Sequence, residues 1–104
     1  MEFKLSKKFE GVRVISSERS DGPMNYNLDG GANLLSFIKR IGIQKEVAYG
    51  EQVHKPVITF CTKPGRYSGA DGVFAKDDLA LAVKTADCAP LIFFEKQSGA
   101  IGAV

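Results

Sequence analysis

The sequence has no long apolar segment, little net charge and a single histidine. Its longest strictly apolar runs have four or five residues, whereas a membrane-spanning helix needs roughly 20, so a membrane span is excluded. Basic residues outnumber acidic ones by 14 to 12, a formal net charge of +2, which excludes a chain that binds nucleic acid through charge alone. Any histidine chemistry within one chain must use His54, the one histidine in the sequence.

Cysteine is also scarce. The two cysteines, Cys61 and Cys88, cannot form a disulfide framework, and the N-terminal residues lack the apolar core of a signal peptide. These features predict a reducing, cytoplasmic compartment with free thiols. Cys61 follows an apolar stretch and is predicted to be a core residue.

Composition and length bound the class of protein. The 104 residues are 44% hydrophobic and 25% charged, which is typical of a soluble globular domain and excludes intrinsic disorder. The length allows one domain at most and is also compatible with part of a larger domain.

Hydrophobic patterning predicts an α/β fold. Residues 32–41 carry apolar side chains at helical spacing, and Gly42 is a natural helix stop. Residues 62–69 are predicted to be a turn or loop, because they contain Pro and Gly. The helix is expected to pack on a sheet that holds the apolar strands Leu79–Val83 and Leu91–Phe94. Both of these strands are expected to be buried on both faces of the sheet. Strands are predicted at Val12–Ser17, Val47–Gln52, Val57–Phe60, Gly72–Ala75, Leu79–Val83 and Leu91–Phe94.

The C-terminal residues 99–104 are apolar, although domains usually end in polar residues. One interpretation is an edge strand at the end of a complete domain. The other is that the chain is a piece of a longer fold. The second interpretation predicts uncovered apolar surface, and therefore a dimer, a swapped partner or an ill-ordered end.

Two short segments could carry chemistry. Cys88 lies in the sequence TADCAP, between two apolar strands, where it is either a reactive group at a strand end or a small buried hydrophobe. Asp87 beside it could orient a ligand or accept a proton. His54 is either a functional group or an ordinary surface or core residue, and no short metal motif links it to Cys88. Arg19 could hold an anion through its planar guanidinium or be a solvated loop charge.

Taken together, four segments resemble the YfiH family, also known as the laccase-domain or multicopper polyphenol oxidase family. The family pattern runs QVHG, ADA or ADG, TADCLP, and then a histidine that opens HAGWRG. In this chain Lys55 replaces the glycine after QVH, and residues 17–22 resemble the family's STRxGG loop near the N-terminus. The resemblance covers nearly the whole chain and about the first half of the family domain. The matching segments are Gln52–His54, Ala70–Val73, Leu81–Pro90 and Ala100–Val104.

The resemblance implies a fold and a site. The fold is α/β, with mixed sheets flanked by helices as in a cysteine-dependent toxin deamidase, and residues 1–104 are the N-terminal part of a single domain. The implied metal ligands are His54, Cys88 and the histidine of HAGW, which has no counterpart in this chain. The resemblance also implies a catalytic role for Asp87 and substrate-binding roles for Arg19 and Gln52.

The implied function is that of a purine nucleoside enzyme. Family members are described as phosphorylases of purine nucleosides with adenosine deaminase activity, and also carry the older name of copper polyphenol oxidases. The expected substrates are a purine nucleoside and phosphate, and the expected cofactor is zinc, with copper as the other candidate. A homo-oligomer or another chain could complete the site. The alternatives are an inactive fragment or half of a split domain, and a thiol hydrolase or deamidase with Cys88 as nucleophile and His54 as base.

Overall fold

A computed structural model describes residues 12–24, 30–76, 78–85 and 89–104. These residues fall into two compact units, Met1–Gly42 and Ile43–Val104, which are described separately. One helix and seven strands are present among them, so the predicted α/β class is confirmed.

The first unit contains a 3-10 turn, Arg19–Asp21, and the helix α1, Ala32–Arg40. The helix begins after Gly31, whose φ of +89° suits glycine, and ends within one residue of the predicted position. An ion pair between Arg40 and Asp21 connects the helix to the turn. No helix in the described part of the chain is long and apolar enough to cross a membrane.

The strand predicted at residues 12–17 is wrong. These residues are irregular apart from a single bridge at Ile15. β-branched residues favour extended backbone, but a strand forms only where a partner strand is available in register. The predicted packing of α1 on a sheet stays a prediction, because the helix and the sheets belong to different units.

The first sheet of the second unit has three parallel strands. β1 (Glu46–Glu51) lies between β3 (Gly65–Ser68) and β5 (Leu79–Val83). The prediction of a turn or loop over residues 62–69 is therefore wrong for the last part of that range. Pro64 and Gly65 mark a turn, but pairing with β1 makes the residues that follow a strand.

The second sheet has four strands: β2 (Ile58–Phe60), β4 (Gly72–Ala75), β6 (Ile92–Phe94) and β7 (Ile101–Ala103). Their order across the sheet is β2-β4-β7-β6. β2 and β4 are parallel, and β7 is antiparallel to both β4 and β6. The prediction that the segments at 79–83 and 91–94 share a sheet is wrong, although both are strands. The C-terminal strand β7 is an inner strand rather than an edge.

Small side chains form the core where the two sheets meet. Ala48 of β1 and Ala75 of β4 are fully buried, as is Cys61, which confirms its predicted core position. A Cβ atom on Gly50 would lie 3.0 Å from Cγ1 of Val73 and 3.2 Å from a backbone oxygen. A side chain at position 50 would therefore be tightly packed, and its neighbours would have to shift by a few tenths of an ångström to admit it.

The other face of the four-stranded sheet is open. Phe60 and Phe74 lie side by side on it with ring centroids 4.8 Å apart, and Phe93 follows across the sheet, 56% exposed. The prediction that residues 91–94 are buried on both faces is wrong, because this face is exposed. The expectation of uncovered apolar surface is confirmed.

The close approach of the sheets gives a first testable prediction. Gly50→Ala should lower the free energy of unfolding by about 1–3 kcal/mol, because the added methyl group overpacks the core. Gly102→Ala is the matched control, since a Cβ there meets Phe74 and Phe93 at 3.6 and 3.7 Å, which is ordinary contact. Urea denaturation measures both, and an equal effect of the two substitutions would contradict the packing argument.

A second prediction concerns acid stability. Glu95 closes the turn between β6 and β7 by accepting hydrogen bonds from the Ser98 hydroxyl and from the backbone N–H groups of Ser98 and Gln97. These bonds lower the pKa of Glu95. A lowered pKa in the folded state stabilises the protein above the unfolded-state value, and this stabilisation is lost as the pH falls through the folded-state pKa.

The stability difference between the native protein and Glu95→Gln should therefore be largest near neutral pH and shrink below about pH 4. Denaturant unfolding across about pH 2–7 measures this difference, and Glu46→Gln serves as a control at an exposed position of β1. A difference that stays constant down to the lowest pH would count against the role of Glu95.

Candidate active site

The carboxyl ends of β1 and β5 define the site. These two strands are parallel neighbours, and Gly50 lies opposite Val83. The segments that follow them, which begin at Gln52 and Lys84, therefore leave from the same edge of the sheet. Open α/β sheets bind their ligands at this edge.

A cleft of about 220 Å³ opens there. One side of the cleft is formed by the turn that follows β1. Another is formed by Thr85 and Ala89, which lie on either side of residues 86–88 after β5. Ionisable, amide and apolar groups converge in it, as is common in small-molecule sites. Its lining residues are Gln52, His54, Lys55, Asp71, Thr85, Ala89, Leu91 and Val104.

The turn between β1 and β2 brings His54 to the cleft. His54 is exposed and has a φ of +61°, a left-handed conformation that is uncommon for residues with a Cβ atom. The N–H of Val57 donates to the carbonyl of Lys55 at 2.7 Å and closes the end of the turn. From the sequence, His54 is either a functional group or an ordinary surface or core residue; the core alternative is excluded, because His54 is exposed and lines the cleft.

Asp71 lies beneath this turn. Its carboxylate accepts hydrogen bonds from three consecutive backbone N–H groups, those of Val53 at 2.8 Å, His54 at 2.7 Å and Lys55 at 2.5 Å. Desolvation opposes ionisation of the carboxyl group, but the three donors and the nearby imidazole outweigh it and lower the pKa of Asp71. The carboxylate is therefore the form that supports the turn.

The predicted site residues are distributed unevenly. Gln52 and His54 both line the cleft. Arg19 is exposed and belongs to the first unit, so its role in substrate binding stays a prediction. Asp87 and Cys88 lie outside the described residues.

Thr85 and Ala89 border the undescribed residues 86–88, and both line the same cleft as His54. Of the QVH and TADC segments, the described residues that line this cleft are Gln52, His54 and Thr85.

An ion pair stands beside the site at the ends of β1 and β3. The guanidinium of Arg66 pairs with the carboxylate of Glu51, which directly precedes Gln52. Burial raises the pKa of Tyr49 on the same strand; Glu51 raises it further, and Arg66 partly offsets the rise. These charges connect neighbouring strand ends and do not line the cleft.

The family resemblance implies a metal, and the described residues fit it in part. The imidazole of His54 is exposed on the cleft and is a donor that zinc and copper both accept. Both carboxylate oxygens of Asp71 already accept N–H bonds, so they are committed to the turn. Within the described ranges no three His, Cys, Asp or Glu residues gather into a metal-binding group.

Sequence reasoning assigned no role to Asp71. The segment Ala70–Val73 carried part of the family resemblance, but nothing in the pattern indicated that a carboxylate there would bind a turn 16 to 18 residues before it in the chain. The available signal was an Asp before Gly72, a combination typical of a tight chain reversal.

Comparison with family models identifies the family. The model described as multi-copper polyphenol oxidoreductase laccase matches residues 27–104, about three quarters of the chain. Comparison with curated proteins and with solved structures finds no match.

The left-handed backbone at His54 gives a third prediction. Glycine adopts positive φ without the steric cost that a Cβ atom brings, so His54→Gly should be more stable than His54→Ala by about 1 kcal/mol. Both variants remove the imidazole, and their difference isolates the backbone. Urea denaturation measures it, and an alanine variant as stable as the glycine variant would show that position 54 is not held at positive φ in solution.

Proposed function

Because the chain belongs to the multi-copper polyphenol oxidoreductase laccase family, we propose that its cleft is a site for purine nucleosides that works with bound zinc. One observation carries this proposal. His54 and the two residues that border the TADC segment line a single cleft at the carboxyl ends of parallel strands. This is the arrangement expected if QVH and TADC supply parts of one site.

The proposed metal ligands are the His54 imidazole and the Cys88 thiolate. A nitrogen and a sulfur donor match the preferences of zinc, and catalytic zinc sites have three protein ligands and one open position. The sequence supplies one histidine and one cysteine for this site, because Cys61 is fully buried in the core.

Bound zinc supplies a coordinated water whose pKa is lowered to about 7 and a positive charge that stabilises developing negative charge. The family resemblance implies that Asp87 would act as the proton acceptor. The amide of Gln52, which lies on the cleft, can donate to and accept from the edge of a purine base. The family resemblance also implies a substrate-binding role for Arg19, whose planar guanidinium suits a phosphate.

Zinc is proposed as the working metal because the family resemblance implies it, and copper is the other candidate. The family description names copper, but a site of nitrogen and sulfur donors binds Cu²⁺ more tightly than Zn²⁺ whatever its use in the cell. Copper in a purified sample would therefore report affinity, and activity with each metal separates the two. We also propose a cytoplasmic location, which keeps the Cys88 thiol reduced and able to bind a metal.

The described part of the cleft lacks a wall and a third metal ligand. A cleft of about 220 Å³ is smaller than the roughly 300–1,000 Å³ of sites that enclose a small molecule. The chain also lacks a second histidine. We propose that the missing ligand and wall come from outside these 104 residues, whether from more of the same polypeptide, from a second copy or from a different chain.

A competing candidate is a chain without activity of its own. It is favoured by the single histidine and by the lack of a three-residue metal group among the described residues. A third candidate is metal-independent hydrolysis or deamidation, with Cys88 as nucleophile and His54 as base. Metal binding and nucleophilic attack use the same thiolate, so zinc dependence separates these two functions.

The fourth prediction tests the function directly. The purified chain is incubated with adenosine, phosphate and zinc, and chromatography measures adenine, inosine and hypoxanthine. A single copy of the chain is expected to be inactive, because it lacks a third ligand. If a second copy completes the site, we expect turnover that a chelator abolishes, that added zinc restores and whose rate rises with protein concentration. His54→Ala and Cys88→Ala should each abolish it, because each removes one ligand.

Cys61→Ala is the matched control, because it removes a thiol that is buried in the core and absent from the cleft; its folded fraction is measured in parallel. Turnover that persists with chelator would overturn the zinc proposal and favour the thiol mechanism. No turnover at any protein concentration would favour the inactive chain or a requirement for a different chain.

A further inference from the structure

The backbone of His54 needs a restraint. Among the described residues other than glycine, His54 alone has a positive φ, at +61°. Residues with a Cβ atom rarely adopt this conformation, and it persists only where surrounding interactions impose it. Histidine rather than glycine at this position indicates that the imidazole has a use which outweighs the strain.

The carboxylate of Asp71 supplies the restraint. It binds the N–H groups of residues 53, 54 and 55 at 2.5 to 2.8 Å. Charge-assisted hydrogen bonds of this kind are stronger than bonds between neutral groups. Because the three donors are consecutive, they can meet one anion only when the chain curls around it, so the carboxylate fixes the backbone on both sides of His54.

Asp71 is itself fixed by the second sheet. Its N–H donates to the carbonyl of Val57 at 3.0 Å, and the N–H of Gly72 donates to the same carbonyl at 3.1 Å. Gly72 is the first residue of β4 and pairs with Ile58 of β2. The backbone of Asp71 is therefore restrained by the pairing of β2 and β4, which fixes the position from which its carboxylate reaches the turn.

From this geometry we propose that Asp71 is a positioning residue, which fixes the turn at residues 53–55 and thereby presents the imidazole of His54 to the cleft in one orientation. This proposal rests on the proposed function, in which His54 is a ligand of zinc. It extends that function by naming the group that prepares the ligand before a metal binds.

The experiment compares Asp71→Asn with Asp78→Asn in the intact chain by nuclear magnetic resonance. An amide at position 71 keeps one acceptor oxygen but replaces the other with an N–H donor. Asp78 is a matched control, because it is an exposed carboxylate that pairs with Lys45 away from the cleft. Thermal unfolding of both variants shows that they are folded before they are compared.

In Asp71→Asn, amide hydrogen exchange at residues 53–55 should rise about tenfold to a hundredfold relative to β1, as expected for loss of a hydrogen bond to a charged group. The Hα–Hβ couplings of His54 report its χ1 angle. They should indicate one rotamer in the native protein and rotamer averaging in the variant. The chain has one histidine, so its ring signals are assigned without ambiguity.

Zinc titration followed on those ring signals gives a second readout. Asp71→Asn should weaken zinc binding about 10- to 100-fold, the effect of removing the group that orients a metal ligand, and Asp78→Asn should leave it unchanged. Unchanged amide exchange would overturn the proposal. Faster exchange with an unchanged His54 rotamer would also overturn it, leaving Asp71 as a purely structural residue. Absence of zinc binding by the native chain would count against completion of the site by a second copy, while the metal-free measurements would still decide the role of Asp71.

Discussion

The close contact between the two sheets is the constraint on which the second unit depends. Ala48 and Gly50 on β1 let Val73 of β4 approach so closely that a Cβ atom added at position 50 would lie only 3.0 Å from Cγ1 of Val73. Burial of small residues stabilises the unit only if the fit is close, because each one removes little apolar surface from water. The same contact sets the position of the β4 start, where Asp71 is anchored, relative to the end of β1. The turn that carries His54 spans these two points.

Much of the local structure could be predicted from the sequence. The helix at residues 32–40 and the strands at 46–51, 72–75 and 79–83 follow directly from apolar spacing and turn residues. The errors have a common cause, because pairing is a long-range property. Residues 12–17 have strand propensity but form no strand, whereas residues 65–68 form one despite their glycine and turn-like context.

The candidate site was predictable in a different way. The spacing of residues alone provided no link between His54 and the TADC segment, and the family resemblance supplied it. The topology now gives a physical reason, since the two segments follow neighbouring parallel strands. Asp71 was not predictable, because its role depends on three backbone N–H groups whose directions are set by the folded turn. A side chain that accepts hydrogen bonds from backbone N–H groups places no requirement on the residue types that supply those groups, so the contact cannot be recognised in the sequence.

The open face of the second sheet bears on how the site is completed. That face carries a groove whose lining includes Ile58, Phe74, Phe93 and Val104. Val104 also lines the cleft, together with the exposed Leu91. The exposed phenylalanines at positions 60, 74 and 93 extend the same apolar surface across the sheet. A polypeptide that covered this face would bury apolar area, which is the main source of stability in association, and its edge would reach the cleft. Because Val104 borders both surfaces, covering the open face would also change the cleft beside His54.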